Sequence, residues 1–120
     1  MSYKVQLFHI QTMRNFEISD SEDFFDHKEN FEQFSPQQFQ DLSLRLIHYD
    51  YEITQEDDKN IYFRNSDDES SATGYLTLHG LYFSSSSNPD DIFEISMTAS
   101  EFTDTGDFAK FDPQVGEWEV

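Results

Sequence analysis

Thirteen phenylalanines, six tyrosines and one tryptophan are spread through a chain that carries 25 acidic side chains against seven basic ones. These aromatics decide whether such a chain can fold at all. A formal net charge of −18 and a mean hydropathy of −0.73 fit a disordered polyanion. Disordered chains are poor in aromatics, however, and each buried phenylalanine contributes about 1.5–3 kcal/mol. A handful of buried rings therefore offsets much of the ordering entropy and the self-repulsion. The 120 residues suffice for one core, so a single folded domain, 1–120, is expected.

The same composition excludes several classes. Without cysteine there are no disulfides and no cysteine-based metal sites. The negative balance rules out binding nucleic acid directly through a basic patch, and electrostatic docking on an anionic membrane. The start, Met1-Ser2-Tyr3-Lys4-Val5, lacks the apolar core of a secretory signal. No apolar run approaches the roughly 18 residues of a membrane span. A cytoplasmic protein, monomeric or homodimeric, is the expectation.

Tyr3, Val5 and Leu7 alternate with Lys4 and Gln6 and predict a first strand over Tyr3–Ile10; Thr12–Ile18 extends it or forms a short return. Ser19–Phe34 mixes acids with Phe24, Phe25, Phe31 and Phe34. It predicts a short helix or a loop that pins its rings into the core. The clearest element is Ser35–Tyr49, where Ser35 is an N-cap, Pro36 takes the first helical position, and Phe39, Leu42, Leu46 and Tyr49 form an apolar stripe. Tyr51–Gln55, Asn60–Arg64, Thr73–Leu78 and Leu81–Ser84 read as strands. Gly80 is expected to supply a positive φ in the tight turn between the last two. Ser84–Asp91 reads as a solvated loop. Over 92–102, Phe93, Ile95, Met97 and Ala99 alternate with polar residues and favour a strand, although Ile92, Ile95, Ala99 and Phe102 also fit a helical stripe. Residues 103–120 read as a largely irregular tail. The fold class is therefore α+β: an antiparallel sheet of about five strands with one long and one short helix on one face. Val5, Leu7, Phe39, Leu42, Leu46, Ile61, Phe63, Leu76, Leu81, Phe83, Phe93 and Ile95 are the expected core.

Chemical motifs are absent or incomplete. Asp104-Thr105-Gly106 matches the aspartic-protease tripeptide, but Glu101, Thr103 and Asp107 flank it where that family needs apolar strand; it reads as an acidic turn. No acidic stretch meets the calcium-loop pattern. His9, His27, His48 and His79 show no metal spacing and no paired nucleophile. No catalytic residue, cofactor or metal is expected.

A charge of this size exceeds the magnitude of about 2–8 that solubility alone requires. Acids in separate loops, Asp20–Glu32, Glu56–Asp58, Asp67–Glu69, Asp90–Glu94 and Glu101–Glu119, can converge into one negative surface that attracts cationic proteins. Asp23, Asp26, Glu29, Asp57, Asp58, Asp67, Asp68 and Glu69 are the candidate contacts, with Phe25 and Tyr51 as aromatic anchors. In size, acidity, α+β order and lack of cysteine and catalytic motifs, the chain resembles the small immunity proteins of bacterial polymorphic and contact-dependent toxin systems. That resemblance implies a basic cognate toxin, often a nuclease, neutralised by covering its active site. The alternatives are a DNA mimic that blocks a DNA-binding protein, a small enzyme with an acidic cleft, or a halophilic surface.

Overall fold

In a computed structural model, residues 2–19 and 21–120 are described; Met1 and Asp20, the first acid of the expected Asp20–Glu32 cluster, lie outside them. Seven strands among these residues form one antiparallel sheet: β1 (Ser2–His9), β2 (Tyr51–Glu56), β3 (Ile61–Asn65), β4 (Thr73–Leu76), β5 (Leu81–Ser86), β6 (Phe108–Asp112) and β7 (Glu117–Glu119). Their spatial order is β2-β3-β4-β5-β1-β6-β7. Three helices accompany them: α1 (Ile10–Ile18), α2 (Pro36–His48) and α3 (Pro89–Glu101). The α+β class holds, with seven strands in place of about five.

Strand alternation sorts the side chains. Val5 and Leu7 of β1, Ile61 and Phe63 of β3, Leu76 of β4, and Leu81 and Phe83 of β5 are buried on one face. Leu42 and Leu46 of α2, and Ile95 and Ala99 of α3, complete this core. Ser35 caps α2 in a reciprocal capping box with Gln38, with Pro36 following at the first turn.

The helices do not all share one face. Phe8 and Phe111 point to the other side of the sheet, beneath a lid made by α1 and two short 3-10 turns, Phe24–Asp26 and Lys28–Asn30. Phe16 of α1 meets Phe24, Phe25, Phe111 and Trp118 at centroid distances of 5.2–6.0 Å. Here the acid-and-phenylalanine stretch pins its rings onto the sheet while its carboxylates stay in water. The lid covers the β1-β6-β7 half and leaves the β2-β3-β4-β5 half open.

Four further expectations are corrected. Residues 92–102 belong to α3 and the turn after it, because Asn88 caps the helix and Pro89 occupies its first position. Both sheet positions beside β5 are already taken, by β4 and β1. In the helix Phe93 turns outward and is 66% exposed, so it is not core. The tail is not irregular: Phe108–Asp112 pairs with central β1, and β7 closes a hairpin on it. Gly80 has no positive φ; a Cβ there would lie 2.9 Å from the Tyr82 ring and 3.0 Å from Phe8. Its glycine is set by crowding.

Candidate functional site

One end of the sheet gathers the start of β2, the end of β3, the start of β4 and the end of β5. Three acid-bearing segments meet there. The α2–β2 corner turns at Asp50, whose φ of 68° is the left-handed conformation that aspartate tolerates better than most residues. Its carbonyl accepts from Ser66 N at 2.8 Å, which ties the corner to the β3–β4 connection. In that connection the Asn65 side chain accepts from Asp67 N, and the Asp67 side chain accepts from Glu69 N, each at 3.0 Å. The third segment is the first turn of α3, where Asp90 and Asp91 sit near the positive end of the helix dipole.

Together these segments wall an open cleft of about 400 Å³, lined by Asp50, Asp67, Asp90, Asp91 and Glu94 with Tyr49, Asn65, Ser66 and Ser70. Among the described residues no Lys, Arg or His lines it. Its carboxylates are not equivalent. Asp91 accepts from Ser71 Oγ at 2.6 Å and Ser71 N at 3.2 Å, and Ser70 and Ser86 hydroxyls approach at 3.4 Å. These donors, Ser71 foremost, hold its carboxyl below the usual carboxylate range. Glu94 is pushed upward, first by burial and then by the negative charges of Asp50, Glu101 and Asp91. Beyond Thr98 and Asn65, at 3.4 and 3.5 Å, it has no donor among the described residues.

The expected contact residues divide three ways. Asp67, Asp68 and Glu69 lie at the cleft end, where Asp67 lines the cleft and Asp68 pairs with Arg64 at 3.1 Å. Asp57 and Asp58 lie at the opposite end of β3, about 16 Å away along its five residues at 3.3 Å each. There Asp57 caps its own turn, accepting from Lys59 N and Asn60 N at 2.9 Å. Asp23, Asp26 and Glu29 belong to the lid. His27 bridges Asp23 at 3.0 Å and Glu29 at 3.6 Å, and its pKa is raised by the Asp23 hydrogen bond.

The anchors also change. Phe25 is 36% exposed but packs on Phe111 at 4.9 Å as part of the lid. Tyr51 is 2% exposed and packs on Phe83, so it is core and not a surface anchor; burial and then the Glu94 charge push its phenol up. Phe93 of α3, next in the chain to Glu94, is 66% exposed, with Met97 one turn on at 37%; neither lines the cleft. Asp104 of the protease-like tripeptide pairs with Arg45 at 2.9 Å, ahead of Gly106 at φ 79°. Among the described residues no group of three or more His, Asp or Glu is placed to hold a metal ion, and no helix is long and apolar enough to cross a membrane. Asp90, Asp91 and Glu94 lie in the Asp90–Glu94 segment expected to converge with other acids, but they, Asp50 and Phe93 are not among the expected contact residues. The Asn88-Pro89-Asp90-Asp91 signature of a helix start was the available signal for all of these but Asp50. No family model, no curated protein and no solved structure matches the chain.

Proposed function

We propose that this chain is an acidic protein-binding inhibitor that neutralises a basic partner, most simply a cognate toxin, by seating the cleft end of its sheet over the partner's active surface. The observation that carries the reading is the convergence of five carboxylates from three segments on one cleft with no cationic side chain among the described residues of its lining. Such a surface steers a cationic protein into contact and repels nucleic acid. A nuclease that owes its positive charge to its substrate is therefore a natural target class. Phe93, exposed on the same helix as Asp90 and Glu94, supplies the apolar centre that pure charge attraction lacks.

The reading is tested by affinity capture from bacterial extract followed by assay of the captured protein's activity. One basic protein is expected, inhibited on binding and retained in high salt. Asp67→Lys with Asp90→Lys should abolish capture, while Asp57→Lys with Asp58→Lys should leave it intact. Equal loss from both pairs would reduce the effect to nonspecific polyanion behaviour and overturn the reading.

A further inference from the structure

Hydrogen-bond donors at the cleft end are shared out unevenly. Asp91 takes the Ser71 hydroxyl and amide, while Glu94, one turn on, is left with Thr98 at 3.4 Å and Asn65 at 3.5 Å. A carboxylate is acceptor-only with room for about four donors, so Glu94 is under-served. On its core side lies a second such group. Tyr51 is 2% exposed, and its hydroxyl is buried without a hydrogen-bond partner. Asn65 and Thr98 stand beside that hydroxyl, and Glu94 is near enough for its charge to add to the effect of burial on the phenol. Asn65 and Glu94 both line the cleft, so the phenol is aimed at the cleft's inner wall. Buried polar groups in folded proteins are nearly always paired. An unpaired phenol beside a half-buried, under-served carboxylate marks the place where a further donor belongs.

The spread of the carboxylates selects the kind of donor. Five of them line the cleft, yet among the described residues no three acids are placed to hold a metal ion. A compact cation that needs its ligands at one point does not match them. An ammonium group is likewise a strongly hydrated point charge. A guanidinium is planar, spreads five N–H donors in a fixed fork, and gives up its water more readily. The cleft, at about 400 Å³, also has room for an alkyl stem, and Tyr49 adds an aromatic side chain to the wall.

We infer that the inner end of the cleft is a guanidinium site, with Glu94 as its innermost acceptor and Tyr51 as a positioning residue that donates to the Glu94 carboxylate from the core side. The source of the group rests on the inhibitor reading: an arginine side chain of the basic partner. The fork donates to Glu94 on one side, and the other carboxylates of the lining take its remaining donors. Tyr51 then gains the partner its hydroxyl lacks, and the ionised form of Glu94 gains the donors that its burial calls for.

Nuclear magnetic resonance titration of the intact chain with Nα-acetyl-arginine amide and, separately, Nα-acetyl-lysine amide tests the inference. The arginine probe is expected to bind about tenfold more tightly, with the largest shifts at Asn65, Ser66 and Glu94. Glu94→Gln and, separately, Tyr51→Phe should each bring the arginine-to-lysine ratio close to one, whereas Asp57→Asn should leave it unchanged. Tyr51→Phe keeps the ring that packs on Phe83, so a hydroxyl with only a structural role would leave the ratio at the parent's value. Circular dichroism checks that the variants fold, and Glu94→Gln alone decides if Tyr51→Phe does not. Equal binding of the two probes, binding of neither, or a ratio that survives substitution in a folded variant would overturn the inference, even with a basic partner captured and inhibited. Arginine-selective binding with no captured partner would instead overturn the inhibitor reading and keep the site.

Discussion

Asp91 and Glu94 stand about one turn apart on α3, and their carboxyl pKa values are shifted in opposite directions, Asp91 down and Glu94 up. Glu94 has a folded pKa above its unfolded value, so its ionised form opposes folding at neutral pH, and that penalty is relieved as pH falls through the raised value. Asp91 has a lowered folded pKa. Its stabilisation is present above the unfolded value and is lost as pH falls through the lowered one. Thermal unfolding across pH should therefore show a stabilising contribution from Glu94 on mild acidification and the loss of the Asp91 contribution below the ordinary carboxylate range. Glu94→Gln should raise Tm at neutral pH and remove the first of these contributions; a Tm equal to the parent's at neutral pH would contradict this account. At the sheet's other end, Gly80→Ala forces a methyl group against Tyr82 and Phe8. A loss of about 1–3 kcal/mol is expected by denaturant titration, as for other overpacked sites.

At the scale of elements, legibility followed local punctuation. Ser35 and Pro36 announced α2, and the alternation of β1, β3 and β5 was plain because each buries one face. The sequence of α3 favours a strand because Phe93, Ile95, Met97 and Ala99 alternate with polar residues, whereas the helix turns Ile95 and Ala99 inward and Phe93 and Met97 toward water. Its start repeats the pattern of α2, a capping side chain followed by proline. Asn88→Ala should lower stability by about 0.5–2 kcal/mol in chemical unfolding. No loss would mean that the cap is not what fixes the helix start. Strands β6 and β7 are short and separated by a turn holding Pro113 and Gly116; pairing with β1, about a hundred residues away in sequence, places Phe108–Asp112 in the sheet, and β7 pairs on its other side. The convergence of Asp50, Asp67 and Asp90 was likewise beyond local reading, since it depends on which ends of β2, β3 and α3 share one side of the molecule.

The whole molecule presents an acidic cleft at one end of the sheet, a row of stacked tyrosines on the sheet's outer face, and an acidic lid over a phenylalanine cluster. The central claim is that the cleft, and not acidity in general, recognises cationic groups. Nuclear magnetic resonance titration of the intact, isotopically labelled chain with a short arginine-rich peptide tests it most directly. Binding at the cleft predicts saturable amide shifts concentrated at Asp50, Ser66, Asp67, Asp90 and Glu94, with Asp57, Asp58 and the lid carboxylates nearly still. Shifts of equal size at Asp23, Asp57 and Asp67, growing together without saturation, would show only a diffuse polyanion and would contradict it.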